Sequence, residues 1–287
     1  MIYLLLSVLF STGLFVIFKY FGVFKVDALK AIIVNYVIAC LLGFLSSNTT
    51  VALQEIPNKP WFLGALCLGL LFVAVFFVMA MTAQKNGVSV TSIAGKMSVV
   101  IPVVFGVFLY DESLGYVKIL GILIALIAVY LASVKEKQTV AKNVGLLFPI
   151  LLFFGSGTID TLLKFVEVNF VQQNEVALFS GSLFGIAGCF GMVVVFAKYI
   201  IKKSAFGFKN IIAGIVLGIP NYYSIIFLIK SLQTKGMESS VLFTINNVAI
   251  VITSILVGLL LFKETFSDKN KIGVAMAILG IVLVSFS

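Results

Sequence analysis

The apolar positions of this chain fall in long unbroken runs, and the polar residues are gathered mostly in the short stretches between them. Crossing a bilayer core as a helix takes about 20 residues. Ten stretches reach or approach that length: 2–20, 29–46, 61–84, 88–110, 116–133, 144–165, 176–199, 210–230, 239–262 and 272–286, taken as spans 1 to 10. The runs are continuous rather than alternating, which excludes the strands of a membrane barrel. Turn and charge residues punctuate the gaps, as in Pro57, Asn58, Lys59 and Pro60, or Lys135, Glu136 and Lys137. The pattern predicts an all-α integral membrane protein of ten transmembrane helices.

Composition agrees with lipid as the main solvent, since 61% of residues are hydrophobic and only 11% charged. The net charge of +9 is carried entirely by lysines, which sit between apolar runs rather than in a patch, so it reads as a topology signal and not as a nucleic-acid surface. Cys40, Cys67 and Cys189 are isolated and there is no histidine. That removes the usual zinc constellations and any Ser/His or Cys/His nucleophile pair, so neither a catalytic residue, a metal site nor a cofactor is expected. The first run has no basic leader or small-residue cleavage site and is read as a retained helix.

Sliding the chain on itself reveals an internal repeat. Asp111, Glu112, Ser113, Leu114 and Gly121 fall on Lys263, Glu264, Thr265, Phe266 and Gly273, with Phe105 and Gly106 on Val257 and Gly258 in the same register. Ser11 and Lys19 fall on Ser156 and Lys164; Gly69, Gln84 and Gly87 fall on Gly218, Gln233 and Gly236. Two five-span units follow, 1–137 and 138–287.

Because five is odd, the two units must enter the membrane in opposite senses, and the lysines give an independent check. The loop after span 1 carries Lys25 and Lys30, whereas the loop after span 6 carries Glu167 and Glu175. Only Lys59 follows span 2, but Lys198, Lys202, Lys203 and Lys209 gather around the end of span 7. After spans 4 and 9 the contrast is Lys118 against Lys263, Lys269 and Lys271. This assigns the loops after spans 1, 3, 5, 7 and 9 to the cytoplasm and both termini to the outer side of the cell membrane. An inverted pair of bundles can open a central site to one face and then the other, which is the physical case for a carrier. Channels can share the arrangement.

The residues Phe10, Ser11, Thr12, Gly13 and Lys19, the Gly87–Val88–Ser89 start of span 4 with Pro102 inside it, and the pairs Glu112/Gly121 and Glu264/Gly273 together resemble the EamA-like permeases of the drug/metabolite transporter superfamily. The resemblance covers essentially the whole chain, although the second unit has no proline matching Pro102; Thr253 and Ser254 lie near that place. It implies helices arranged around a central cavity, chiefly spans 1, 3, 4, 6, 8 and 9, with spans 5 and 10 at the periphery. It also implies transport of metabolites, amino acids or drugs, without choosing among them.

Candidate cavity residues are the polar groups that lipid tolerates poorly. Lys96 lies about 12 Å into span 4 at about 1.5 Å per residue, too deep for easy escape to headgroups, and suits a counter-charge for an anionic or zwitterionic solute. Pairing with a neighbouring carbonyl or acid is the alternative. Pro102 is a hinge candidate. Asp160 and Lys164 share one face of span 6 and either neutralise each other or contact solute or proton. In span 8, Pro220 is a second hinge candidate, beside Asn221, Tyr222 and Tyr223; a helix broken there would line a solute path. Asn246 and Asn247 in span 9, and more weakly Asn35 and Tyr36 in span 2, either line that path or join helices. Glu112 and Glu264 close spans 4 and 9, where fixing a following turn or helix start is the ordinary role of a carboxylate.

Lysines outnumber acids within the spans, which favours a small solute bearing a carboxylate or phosphate. The expected activity is secondary transport, in the export direction, by a monomer in the lipid bilayer, with a dimer as the alternative state. A lipid-linked sugar flippase or a multidrug exporter of the same fold is the alternative function.

Overall fold

The computed structural model describes residues 2–46, 53–102, 104–105, 115–133, 144–172, 175–202, 207–232, 239–265 and 267–285. Among them are ten α-helices: α1 (Ile2–Val23), α2 (Ala28–Leu45), α3 (Phe62–Lys85), α4 (Val88–Met97), α5 (Tyr116–Ser133), α6 (Val144–Phe170), α7 (Val176–Lys202), α8 (Phe208–Leu232), α9 (Ser239–Phe262) and α10 (Asp268–Ser285). A 3₁₀ turn, Leu53–Asn58, precedes α3. Each predicted span holds one of these helices, in order. Seven, namely α1, α2, α3, α6, α7, α8 and α9, contain stretches long and apolar enough to cross a membrane. Of the other three, the described apolar stretches are Val88–Pro102 in span 4 and Ile119–Ala132 in α5, and α10 begins with Asp268, Lys269 and Lys271.

The chain forms two compact units. One contains Met1–Tyr20, Val78–Thr158 and Tyr223–Ser287; the other contains Phe21–Phe77 and Ile159–Tyr222. Each therefore draws on both halves of the sequence.

In the first unit α5 and α10 make the most extensive helix contact, followed by α4 with α9. Small residues permit the approach: Ala128, Ala132 and Ala277 are buried, and a Cβ on Gly273 would stand 2.6 Å from the backbone nitrogen of Ala132. Asn270, in the first turn of α10, donates its amide N–H groups to the carbonyls of Leu131 and Ala132 at 3.0 Å each. Those carbonyls end α5 and have no partner within their own helix, so the side chain supplies what lipid would not. Ser267 and Asn270 also exchange hydrogen bonds that cap the start of α10.

In the second unit α2 and α7 pack along their lengths. A Cβ on Gly43 would lie 2.8 Å from the Cα of Gly181, and Gly185, Gly188 and Gly191 in turn face Cys40, Tyr36 and Ile33. The partners descend as the glycines ascend, so the two helices are antiparallel. The Tyr36 hydroxyl, fully buried, donates to the carbonyl of Phe72 at 2.7 Å and ties α3 to the pair. All three extensive contacts, α2 with α7, α4 with α9 and α5 with α10, join positions equivalent in the internal repeat.

Candidate functional site

In the first unit the repeated motif residues meet at the start of α4. Lys263 takes a left-handed backbone conformation (φ 50°) just after α9, turning the chain so that the N–H of Glu264 reaches the carbonyl of Gly258 at 3.0 Å. The Glu264 carboxylate then accepts the backbone N–H of Val88 at 2.7 Å, the backbone N–H of Ser89 at 3.3 Å and the Ser89 hydroxyl at 2.8 Å. A negative group at a helix N-terminus satisfies orphan donors and meets the positive end of the helix dipole. Gly87 (φ 107°) opens the helix, in a conformation that side-chain-bearing residues avoid and with no room for a Cβ beside that carboxylate. The Lys19 ammonium donates to the carbonyl of Gln84, at the C-terminal end of α3, at 3.4 Å. Glu264 thus fixes a helix start, and it is the start of a helix distant in sequence. Its repeat partner Glu112 lies outside the described residues.

Lys96 is half-buried in the last turn of α4, where a cation also complements the helix dipole. The helix gives way to a turn at Ser98–Val99, and Ile101 donates its N–H to the Ser98 carbonyl at 2.9 Å. Pro102 explains the position of that break. Four residues before it stands Ser98, whose carbonyl would receive the N–H that proline lacks and would collide with the ring. On α9, Asn246 is buried and Asn247 half-buried. Val8 and Phe15 of α1, Val88 of α4 and Ile250 of α9 form one buried apolar cluster beside them.

The predicted interruption of span 8 is not found. Helix α8 runs from Phe208 to Leu232 without a break through the half-buried Pro220. The glycines ahead of Pro220 are held instead by packing: Cβ atoms on Gly214 and Gly218 would strike Val34 and Ile38 of α2. In the second unit buried Asn221 donates to the amide oxygen of buried Asn35 at 3.1 Å, and Asn35 donates to the carbonyl of Ile32 at 3.4 Å. Tyr222 is buried in the second unit. Tyr223 belongs to the first unit, where it packs with Phe10 and Phe227 at centroid distances of 6.2 and 5.7 Å. Asp160 is exposed on α6, and the side chain of Lys164 lies outside the described residues.

Sequence reasoning passes over a further cluster in the second unit. Glu175, just ahead of α7, accepts the Lys59 ammonium at 2.6 Å and the indole N–H of fully buried Trp61 at 3.0 Å. The hydrogen bond from Lys59, then that from Trp61, holds the Glu175 carboxyl below the ordinary glutamate range. The opposed charges after spans 2 and 6 are the only sequence signal for it. Lys30, expected in a loop, is buried in the first turn of α2, 3.8 Å from Asp27.

Three comparisons bear on this architecture. Residues 1–134 match the EamA-like transporter family. An uncharacterized protein of Haemophilus influenzae is 27% identical over 284 residues, covering 96% of this chain and 94% of its own. A solved crystal structure, at 15% identity, superposes with a TM-score of 0.55 over 97% of both chains, a likeness of fold.

Proposed function

We propose that this multi-pass membrane transporter, which belongs to the EamA-like transporter family through residues 1–134 and is not an enzyme, exports a small anionic or zwitterionic metabolite by alternating access. All ten helices cross the cell membrane in this reading, as two inverted five-helix repeats around a central cavity, with both termini on the outer face. The observation that carries it is the antiparallel packing of α2 on α7. These helices are repeat equivalents, and equivalents that cross in opposite senses are what inversion requires; parallel repeats would set them in the same sense. Inversion gives one site two interchangeable exits. The solute's negative group meets Lys96, held in the last turn before the Ser98–Val99 break. The protein acts as a monomer within the bilayer.

The test is solute flux in proteoliposomes, using alanine, propionate and ethylamine as zwitterionic, anionic and cationic probes of similar size, with Lys96→Ala beside the unsubstituted protein. Counterflow of alanine or propionate that falls at least tenfold in the variant supports the reading. Flux of ethylamine alone, or stabilisation by lipids alone, supports the multidrug exporter or the flippase instead.

A further inference from the structure

Hydroxyl groups on helices in hydrocarbon ordinarily fold back onto their own helix, because the carbonyl three or four residues earlier is the nearest acceptor. Most described examples here obey. Thr82, Thr91, Thr158 and Thr253 bond the fourth carbonyl back at 2.7–2.8 Å, while Ser92, Ser98 and Ser231 bond the third.

Ser7 and Ser89 donate instead to the Ser224 carbonyl and the Glu264 carboxylate. Thr12, Ser182 and Ser254 do neither: they are 3%, 5% and 0% exposed, and none of the three hydroxyls has a hydrogen-bond partner. The amide oxygen of Asn246, a residue 2% exposed, is likewise unpartnered. Thr12, Ser254 and Asn246 belong to the two helices, α1 and α9, whose Val8, Phe15 and Ile250 share one apolar cluster. Tyr20 and Phe262 set their rings 5.2 Å apart, tilted by 60°, at the C-terminal ends of α1 and α9, and Val8 and Phe15 share an apolar cluster with Ile250. The two helices therefore run side by side in the same direction. Spacing by four puts Asn246, Ile250 and Ser254 on one stripe of α9, and spacing by three or four puts Val8, Thr12 and Phe15 on one stripe of α1. Counting back from the Tyr20–Phe262 pair brings Thr12 level with Ser254. Polar groups without protein partners are thus interleaved with the apolar residues at which α1 and α9 meet.

We propose that Thr12, Ser254 and Asn246 form an uncharged strip on the transport path that receives the hydrogen-bond-donating end of the solute, an ammonium or amide group. A hydroxyl that forgoes its own helix is available to a passing ligand, and an amide oxygen requires a donor. A strip without charge holds such a group without binding it too tightly to release. This rests on the transporter reading and deepens it: with Lys96 facing the negative end, the strip makes the solute a zwitterion such as an amino acid.

The test uses thiol accessibility, which does not depend on knowing the natural solute. In a background of Cys40→Ala, Cys67→Ala and Cys189→Ala, single cysteines replace Thr12, Ser254, the back-bonded neighbour Thr253 and the outward-facing Leu256, and each is treated with a charged methanethiosulfonate, which reacts in water. Labelling of the Thr12 and Ser254 positions at least tenfold faster than the other two is expected. Equal or absent labelling at those two overturns the strip. Alanine or ethylamine should then slow labelling while propionate does not; protection by propionate alone, or by none of the three, overturns the assignment of a donor group. Labelling with protection but without flux leaves the strip standing and counts against the carrier function.

Discussion

The carboxylate of Glu264 holds the backbone N–H of Val88 at 2.7 Å, so the residue that follows α9 sets where α4 begins. Removing the charge while keeping one acceptor, as in Glu264→Gln, is expected to lower stability by about 1–2 kcal/mol, and Glu264→Ala by more, because donors at the helix start are then left unpaired. Gly258→Ala should do similar harm, since its Cβ would fall on the Glu264 carboxylate and the Ser89 hydroxyl. Thermal unfolding in detergent measures all three. Equal melting temperatures for Glu264→Ala and the unsubstituted protein would remove the junction from the account.

Acid should loosen the second unit through Glu175. Its carboxyl is held below the ordinary glutamate range when folded. The resulting stabilisation is present above the unfolded pKa of about 4.3 and is lost as pH falls through the lower folded value. Glu175→Gln is expected to cost about 2 kcal/mol near neutrality and to flatten the melting temperature against pH on the acid side. A profile unchanged by the substitution would show that the Lys59 and Trp61 contacts carry no weight.

Glycines separate into those that matter and those that do not. Gly43→Ala would press a Cβ into the backbone of Gly181 and is expected to destabilise by about 1–3 kcal/mol. Gly13→Ala meets nothing within 4 Å and, in the middle of α1, should be neutral or stabilising by up to about 1 kcal/mol. The difference between the two melting temperatures is the measurement; a Gly43→Ala variant as stable as Gly13→Ala would contradict close α2–α7 packing.

The break in α4 follows from Pro102, so Pro102→Ala should let the Ser98 carbonyl exchange its Ile101 donor for the N–H of residue 102 and let the helix continue. The expected result is a protein at least as stable as the original whose solute flux falls severalfold. Stability without any loss of flux would make the break a passive feature.

Topology is open to direct measurement. Reporter fusions after spans 1, 3, 5, 7 and 9 should report the cytoplasm, and a fusion at the C-terminus the outer side. A cytoplasmic C-terminus would contradict the inverted arrangement.

Helices were legible from the chain because, in lipid, a backbone must satisfy its hydrogen bonds within its own segment. A long apolar run then has one outcome, and its length can be counted. The chain also pairs Lys19, Gln84, Gly87 and Glu112 with Lys164, Gln233, Gly236 and Glu264 at near-constant spacing. The α4 break was legible to within a turn, proline acting on a carbonyl only four residues away. What each polar side chain does was not. Glu264 and Val88 are 176 positions apart, Asn221 and Asn35 are 186 apart, and nothing local to either partner encodes the other. Even Pro220, the strongest local signal in span 8, lies in an unbroken helix. Thr12 and Thr82 look alike as residues, yet one closes on its own helix and the other does not. That difference depends on how each helix is rotated against its neighbours, and rotation is settled by close contacts such as Gly43 on Gly181, where two backbones meet without side chains between them.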